Sequence, residues 1–245
     1  MTRFSYRLRP PEGPILGLVA LQVDQTIERD FRRLFPLDTQ LYVSRVPSGA
    51  EVTPDTLARM ARHLADAAGL LPPQCSYDVV AYGCTSGTAQ IGPQEVARHL
   101  RTAQRSRCVS EPVSALVAAC AALSARRLAI LSPYVADVST RLCEVLGTHG
   151  IDVAVLGSFE EAEEARVARI DAGSIRAAAE MLVKDREVDA LFLSCTNLRT
   201  LDVIAPLEMT LGMPVLSSNL VLAWHMARAA GLALQPDIDA HLLRP

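Results

Sequence analysis

Lysine is almost absent from this chain of 245 residues, because only Lys184 among its 24 Lys and Arg residues is a lysine. Lys184 lies in a charged helical stretch, residues 184–187, which is typical of a solvated helix face. A cofactor held as a Schiff base, such as pyridoxal phosphate, needs a lysine that is shielded from water. We therefore expect no Schiff-base chemistry and assign no cofactor to the chain.

Motifs for metal ions and phosphates are missing as well. The chain has no Cys-x-x-Cys or His-x-x-x-His spacing, and its five histidines are scattered. A phosphatase-type Cys-x5-Arg loop fails because Gln90 and Leu201 stand where the arginine is required. No Gly-Lys pair exists for a Walker A loop, and six scattered cysteines do not form a disulfide scaffold. We therefore expect no metal site.

Signals for export, membranes and nucleic acids are weak. Residues 1–14 lack the uninterrupted apolar segment of a signal peptide. The apolar run 112–123 has roughly 12 residues against the roughly 20 that span a bilayer. The net charge of −3 argues against a nucleic-acid surface. We expect a cytoplasmic protein with reduced thiols and no membrane or nucleic-acid partner; a homo-oligomer is left open.

Apolar runs that alternate with helical periodicity predict an α/β fold with parallel sheets covered on both faces. The predicted strands are Ile15–Leu21, Leu41–Val46, Asp78–Gly83, Cys108–Ser110, Arg127–Ser132, Asp152–Leu156, Asp189–Ser194 and Pro214–Ser217. The predicted helices are Thr26–Leu34, Thr53–Ala68, Pro93–Ala103, Val113–Leu123, Val135–His149, Ser174–Asp185, Leu201–Leu211 and Leu220–Ala230.

An internal repeat divides this pattern into two halves. Segments 78–85 and 189–196 each begin with Asp, continue as a strand and end in Cys-Thr, 111 residues apart. The same offset aligns Leu41 with Asp152, which both begin predicted strands. It also aligns Val23 with Tyr134, which both follow a predicted strand. Such a repeat predicts two duplicated halves; ordinary βα spacing in one doubly wound sheet is the alternative. We predict a first half of residues 1–115, with 217–245 packing back on it, and a second half of residues 116–216.

The Cys-Thr pairs are the first candidates for chemistry. Ligands of open parallel sheets bind beyond the carboxyl ends of the strands, where the polar loops 84–88 and 195–197 lie. A helix start there binds anions and lowers the pKa of a nearby thiol. Thr85, Ser86, Thr196 and Asn197 add donors. Buried structural roles are assigned instead to Cys120 and Cys143, and to Cys75 and Cys108.

Two further strand ends carry polar side chains. Asp24 follows the first strand and is interpreted either as a helix N-cap or as a residue that points into the cleft. Tyr134 follows the fifth strand, where its hydroxyl could donate to a carboxylate or its ring could pack at an interface.

At these residues the sequence resembles the aspartate/glutamate racemase superfamily, and in particular its maleate isomerase and arylmalonate decarboxylase branch. The resemblance covers about residues 15–232 and is nearest to a subgroup associated with ectoine utilisation. The matching segments are 17–28 (GLVALQVDQTIE), 84–88 (CTSGT), 132–134 (SPY), 193–197 (LSCTN), 200–202 (TLD) and 211–218 (LGMPVLSS). The resemblance implies two pseudo-symmetric flavodoxin-like halves, each a four-stranded parallel sheet with flanking helices, and an active site in the cleft between them.

The chain also departs from these relatives. The decarboxylases have Gly at the position of Cys84, which puts a decarboxylase assignment in doubt. Maleate isomerases have Asn at the position of Asp24, and they lack the Thr-Ser-Gly-Thr sequence after the first Cys. An ionised Asp24 would repel a substrate carboxylate. It is therefore either protonated or bound to a cationic amino group, and the second option favours an amino acid or its derivative over maleate.

The implied activity is a cofactor-independent racemase or cis–trans isomerase of a small carboxylic acid, which is an amino acid, its derivative or a dicarboxylate. Cys84 and Cys195 would act on opposite faces of the substrate. The expected substrate-binding residues are Asp24, Thr85, Ser86, Tyr134, Thr196 and Asn197. The alternatives are an arylmalonate-type decarboxylase, a non-catalytic protein that binds small carboxylates, and a redox-active cysteine pair.

Overall fold

The computed structural model describes residues 1–9 and 12–244 and contains two four-stranded parallel sheets flanked by helices. The first sheet has the order β2-β1-β3-β4 and the second has the order β6-β5-β7-β8, so the two halves repeat one topology. The strands are β1 (Ile15–Leu21), β2 (Gln40–Val46), β3 (Tyr77–Gly83), β4 (Ser106–Ser110), β5 (Arg127–Ser132), β6 (Asp152–Ser158), β7 (Ala190–Leu193) and β8 (Val215–Ser217). The predicted fold class is confirmed.

Ten α-helices are present among the described residues, followed by a 3₁₀ turn at His241–Leu243. The helices are α1 (Ile27–Leu34), α2 (Pro54–Gly69), α3 (Thr85–Ile91), α4 (Pro93–Ala103), α5 (Pro112–Ala122), α6 (Ala136–Thr148), α7 (Glu164–Val167), α8 (Ala172–Val183), α9 (Leu201–Leu211) and α10 (Ser218–Ala230). None of the helices in this part of the chain is long and apolar enough to cross a bilayer.

The predicted elements agree with the observed ones to within two residues at each end. Three elements were not predicted: α3, α7 and the 3₁₀ turn. The prediction of a polar loop over residues 84–88 is wrong, because Cys84 is the N-cap of α3 and its own side chain accepts the Gly87 N–H. Cysteine is not a residue that sequence rules associate with helix caps.

The two central strands of each sheet are mostly buried. Strands β1 and β7 consist of apolar or small residues, whereas β3 includes Asp78 and two tyrosines and β5 begins at the exposed Arg127. Strand β1 pairs in parallel with β2 and β3, and β5 pairs in the same way with β6 and β7. Because all strands of a sheet run in one direction, their carboxyl ends lie along one edge. The loops after β1, β3, β5 and β7, which contain the predicted site residues, therefore start from equivalent edges of the two sheets.

The last helix connects the halves. Helix α10 follows β8 of the second sheet but packs against α5, β3 and β4 of the first half. The hydroxyl of Ser110 at the end of β4 lies 2.7 Å from Nδ1 of His225 in α10. Helix α3 of the first half packs against α6 of the second. The division at residues 115/116 stays a prediction, and it would fall inside α5.

Two loops at equivalent places in the halves pair with each other. The segment after β2 and the segment after β6 form an antiparallel bridge between Glu51 and Glu163. The Val52 N–H donates to the Ala162 carbonyl, and the Glu164 N–H donates to the Ala50 carbonyl, both at 3.0 Å. This pairing, residues 50–52 with 162–164, is called the bridging loops below. It brings Glu164, the first residue of α7, to the carboxyl-end edge of the second sheet.

The cysteines outside the Cys-Thr pairs differ in burial. Cys120 is buried, as predicted. Cys75, Cys108 and Cys143 pack against the core, to which they were assigned, but lie at its margin and remain partly accessible. Cys143 lies on α6, where the helix turns part of its surface to solvent. Cys143 is therefore a usable internal control for thiol chemistry.

We expect the buried carboxyl group of Asp30 in α1 to make folding stability depend on pH. Burial raises the pKa of Asp30 from 3.8 to about 6, although the Asn219 amide donates to it at 2.8 Å. The native state therefore binds this proton more tightly than the unfolded chain, and stability falls as pH rises from 4 through 6. Asp30→Asn should lower this loss by about 2 kcal/mol, measured by urea unfolding at pH 4.5 and pH 7.5.

The exposed Asp66 in α2 provides the control for this measurement. Asp66→Asn removes the same charge from a solvated position and should leave the pH dependence of the wild-type protein unchanged. If the folding stability of Asp30→Asn depends on pH as strongly as that of the wild-type protein, Asp30 is not the group responsible.

Candidate active site

The predicted site residues lie together between the two sheets. Cys84, Thr85 and Ser86 follow β3, while Cys195, Thr196 and Asn197 follow β7. Asp24 follows β1 and Tyr134 follows β5. All eight side chains are buried, with at most 8% of any residue exposed. The four strand ends therefore converge on one closed region.

Cys84 is held at the start of α3. Its Sγ accepts the Gly87 N–H at 3.1 Å, and the Ser86 hydroxyl lies 3.7 Å away. The Thr88 hydroxyl donates to the Cys84 carbonyl at 2.7 Å. The helix start thus provides a backbone N–H that can stabilise negative charge on sulfur.

Cys195 is held in an unusual backbone conformation. Its φ of +145° lies in a region that non-glycine residues rarely adopt, and holding it there costs about 1–3 kcal/mol. The Asn197 N–H donates to Cys195 Sγ at 3.2 Å, and the hydroxyl of Tyr134 lies 2.9 Å from the same sulfur. Strain at this position is consistent with a side chain that is oriented for a reaction.

Ser218 at the start of α10 joins the two cysteine loops. The Cys195 N–H donates to the Ser218 hydroxyl at 2.9 Å, and the Thr85 hydroxyl donates to it at 2.7 Å. The Thr196 hydroxyl makes a second link, to the Gly83 carbonyl at 3.2 Å. These bonds connect the strand ends of the two halves directly. In the sequence, Ser218 appears only within the matching segment 211–218, because a Ser-Ser pair after a strand has no distinctive spacing.

A carboxyl group that was not predicted, that of Glu164, completes the surroundings of Cys195. The Tyr134 hydroxyl donates to Glu164 Oε1 at 2.8 Å. The carboxylate that Tyr134 contacts is therefore a side chain of the protein itself. The Asn197 side-chain amide donates to Glu164 Oε2 at 2.6 Å and to the Glu164 carbonyl at 3.0 Å. The side chain of Glu164 is therefore fixed by two buried donors.

Sequence reasoning missed Glu164. It belongs to an acidic stretch, residues 160–164, which is typical of a solvated loop. This stretch consists of four Glu residues and one Ala, and its sequence does not show which of the Glu side chains is buried. Only the pairing of the bridging loops buries Glu164.

The N-cap of α1 is Thr26, so the prediction that Asp24 is the N-cap is wrong, although Asp24 binds the first turn of this helix. The Oδ1 atom of Asp24 accepts the N–H groups of Thr26 and Ile27, each at 2.8 Å. Its Oδ2 is buried and makes no direct hydrogen bond within the described residues, although the nearby Thr196 side chain lowers the pKa of Asp24. The adjacent Gln25 N–H donates to Asn197 Oδ1 at 2.8 Å, which ties this loop to the Cys195 loop.

Burial dominates the ionisation of the two thiols. It raises the pKa of Cys84 to about 11, despite the opposing hydrogen bond from Gly87. Burial also raises the pKa of Cys195 well above its ordinary value, and the negative charge of Glu164 raises it further. The expectation that a helix start lowers these pKa values is therefore wrong for the site without a ligand. The desolvation of a charged sulfur outweighs one or two hydrogen bonds.

The two carboxyl groups are also shifted. Burial raises the pKa of Asp24 against the opposing effect of its two backbone hydrogen bonds. Burial raises the pKa of Glu164 as well, and the nearby charge of Asp24 adds to that effect. Two acidic side chains thus share the closed region with two thiols.

The described part of the chain contains no cluster of metal ligands and no buried lysine that could form a Schiff base. Residues 1–9 and 12–244 contain no group of three or more His, Cys, Asp or Glu side chains placed to hold a metal ion. Lys184 is exposed at the end of α8.

The duplicated sheets and the strand-end cysteines define a class of α/β protein with one site between two equivalent halves. Comparison with known proteins agrees with this class. A model of the arylmalonate decarboxylase family matches residues 87–243, and the chain belongs to this family of enzymes. The resemblance predicted from the sequence is therefore confirmed.

Two sequence relatives illustrate the range of the branch. A maleate isomerase of Nocardia farcinica is 29% identical over 175 residues, which cover 68% of this chain and 69% of the relative. An arylmalonate decarboxylase of Bordetella bronchiseptica is 28% identical over 226 residues, which cover 89% of this chain and 91% of the relative.

Solved structures share the fold. The Nocardia farcinica maleate cis-trans isomerase bound to TRIS superposes with a TM-score of 0.81 at 26% identity, covering 94% of this chain and 98% of the other. A double mutant of arylmalonate decarboxylase, with Gly replaced by Cys and Cys by Ser, superposes with a TM-score of 0.82 at 26% identity and the same coverage.

Proposed function

We propose that the protein is a cofactor-independent isomerase of a small carboxylic acid, either a racemase or a cis–trans isomerase, with Cys84 and Cys195 as its catalytic residues. One observation carries this proposal. The two thiols lie at equivalent strand ends of two duplicated halves, and their loops are joined through Ser218. Two equivalent groups that face one site can act on opposite faces of one ligand.

The chemistry follows from this placement. In a racemisation, the thiolate of one cysteine takes the Cα proton and the thiol of the other delivers a proton to the opposite face. In a cis–trans isomerisation, Cys84 adds to an activated double bond and Cys195 supplies the proton, after which rotation and elimination follow. Hydroxyl groups of Thr85 and Ser86 are suited to donate to the substrate carboxylate as charge develops on it.

The relatives support thiol chemistry of this kind. A mutant of the Nocardia farcinica maleate cis-trans isomerase, in which a Cys is replaced by Ser, holds a covalently bound succinylcysteine intermediate. That structure is 25% identical and superposes with a TM-score of 0.79. A covalent adduct on cysteine in a relative is what the isomerase mechanism requires of Cys84.

A decarboxylase is the second candidate. The family match and the coverage of the Bordetella bronchiseptica arylmalonate decarboxylase favour it. Cys84 argues against it, because the resemblance places Gly at this position in the decarboxylases, and solved structures of arylmalonate decarboxylase carry a cysteine in place of a Gly only as a mutation. The second thiol is native here, and it is the feature that a two-sided proton transfer needs.

Deuterium incorporation should identify the reaction. We expect incubation in D2O with amino acids, N-acyl amino acids, maleate and arylmalonates to give one class of product. Deuterium at Cα with loss of optical purity indicates a racemase, and conversion of maleate to fumarate indicates an isomerase. The measurement is mass spectrometry with chiral chromatography. A decarboxylated arylmalonate as the only product would replace the proposal by the second candidate.

A further inference from the structure

We propose that Tyr82 assists the reaction by donating a hydrogen bond from its hydroxyl to the sulfur of Cys84 when the thiolate forms. Tyr82 lies on β3, which ends immediately before Cys84. The inference rests on the proposed function, since it names a further residue for the same reaction. Tyr82 acts through the sulfur of Cys84 and is therefore a positioning residue.

The first argument is the hydroxyl group of Tyr82 itself, which lies in the core without a strong acceptor. Tyr82 is fully buried. Among the residues that the structure describes, its hydroxyl makes one hydrogen-bond contact, to the Met60 sulfur at 3.8 Å. A thioether is a weak acceptor, and a buried donor that lacks a strong one destabilises the folded state. Phe would fill the same space without this cost, so the hydroxyl indicates a role other than packing.

The second argument is the position of this hydroxyl beside Cys84. A Cβ on Gly87 would lie 2.4 Å from the Tyr82 hydroxyl oxygen and 2.9 Å from Cys84 Sγ. Both atoms therefore border one point at the start of α3, and a glycine leaves that point open. The Gly87 N–H already donates to the sulfur at 3.1 Å, and the hydroxyl is a further donor beside it. Hydrogen bonds of this kind are often long in a site without a ligand and tighten during the reaction.

The third argument is that Tyr82 keeps its proton where Cys84 loses one. Burial raises the pKa of Tyr82 well above its ordinary value, and charge on Cys84 raises it further. Burial also raises the pKa of Cys84 to about 11, and hydrogen bonds, that of Tyr82 among them, oppose this shift. A hydrogen bond to a charged acceptor is stronger than one to a neutral acceptor, so the contact gains strength as the thiolate forms.

Tyr134 beside Cys195 provides a comparison. Its hydroxyl oxygen lies 2.9 Å from Cys195 Sγ, but it donates its proton to Glu164. A phenol has one proton to donate, so in this arrangement Tyr134 accepts from the thiol of Cys195. The proton of the Tyr82 hydroxyl has no comparable acceptor and is available to Cys84. The two tyrosines therefore favour a thiolate at Cys84 and a neutral thiol at Cys195.

Removal of the Tyr82 hydroxyl tests the inference. Tyr82→Phe should lower kcat/KM at least tenfold at pH 7.5 and shift its pH dependence by about one unit to higher pH, because the thiolate of Cys84 becomes harder to form. Urea unfolding should show equal or higher stability, since the variant loses a buried donor that had no strong acceptor. The assay uses the substrate identified by deuterium incorporation.

Tyr77→Phe is the matched control. Tyr77 lies on the same strand and is also buried, but its hydroxyl donates to the Pro72 carbonyl at 3.0 Å. We expect this variant to lose stability and to keep the wild-type kcat/KM and pH dependence. Unchanged kcat/KM in Tyr82→Phe, or a loss of kcat/KM without a shift in its pH dependence, would overturn the inference.

A titration without substrate measures the effect on the thiol directly. NMR of protein labelled with 13Cβ-cysteine follows each cysteine between pH 8 and pH 10.5, and Cys84→Ala identifies the resonance of Cys84. We expect the change of this resonance to begin about one pH unit higher in Tyr82→Phe than in the wild-type protein. The resonance of Cys143 is the internal reference and should titrate alike in both proteins. An unchanged titration of Cys84 would contradict the inference.

These outcomes separate the inference from the proposed function. If Cys84→Ala keeps full turnover, the proposed function fails, and the NMR titration still decides whether Tyr82 stabilises the thiolate. If Cys84→Ala is inactive and Tyr82→Phe behaves as the wild-type protein does, the proposed function stands and the inference is wrong.

Discussion

Replacing either Cys84 or Cys195 with Ala is expected to lower turnover at least about 10³-fold, because a two-sided proton transfer loses its acid or its base. The loss should be similar for the two variants, since neither thiol can reach the face that the other serves. The measurement is the steady-state rate on the substrate identified by deuterium incorporation. Both cysteines are buried and fixed by hydrogen bonds, so no other thiol can substitute for them.

The single variants should also differ in stereochemistry if the reaction is a racemisation. The remaining thiol can still take a proton from one enantiomer and return deuterium to the same face. Cys84→Ala and Cys195→Ala should therefore exchange opposite enantiomers in D2O without inverting them. Cys143→Ala, at a partly accessible position of α6, is the matched control and should keep wild-type turnover. Full turnover in either Cys84→Ala or Cys195→Ala would disprove the two-thiol mechanism.

Gly87→Ala is expected to damage both activity and stability, because residue 87 has no room for a side chain. A Cβ at this position would lie 2.4 Å from the Tyr82 hydroxyl oxygen and 2.9 Å from Cys84 Sγ. Tyr82 is fully buried and cannot swing into solvent. The start of α3 must therefore shift, which displaces the N–H that donates to Cys84. We expect at least a 100-fold loss of turnover and about 2 kcal/mol of stability.

Gly147 in α6 is the control for this substitution. A Cβ there meets no atom within 4 Å, so Gly147→Ala should stabilise the protein by up to about 1 kcal/mol through its effect on helix propensity. Urea unfolding and steady-state kinetics measure both variants. Wild-type stability in Gly87→Ala would show that the Tyr82 side chain accommodates the new methyl group.

Much of the fold could be predicted from local pattern. The central strands contain short apolar runs between turn residues, and such a run is recognisable without tertiary information. The repeat of Asp, strand and Cys-Thr indicated two halves, and the two sheets do share one strand order. Helix α3 was missed because its N-cap is Cys84, and α7 because four residues are too few to show helical periodicity.

The candidate site could be predicted in part. Parallel strands bring their carboxyl ends to one edge, so Asp24, Cys84, Tyr134 and Cys195 could be grouped from strand positions alone. Glu164 could not, because its burial depends on the pairing of the bridging loops from the two halves. The pKa of Cys84 was predicted in the wrong direction, since the degree of desolvation is a property of the packed site.

The sequence by itself determined the α/β class, the repeated pattern of elements and the place of Cys84 and Cys195 at equivalent strand ends. These follow from hydrophobic periodicity and from a motif repeated at a constant offset, which are local properties of the chain. The tertiary structure alone decided that Ser218 joins the cysteine loops, that Tyr134 contacts Glu164, and that the carboxyl groups of Asp24 and Glu164 are buried. Contacts between residues far apart in the chain, and the loss of water around them, arise only when the two halves pack together.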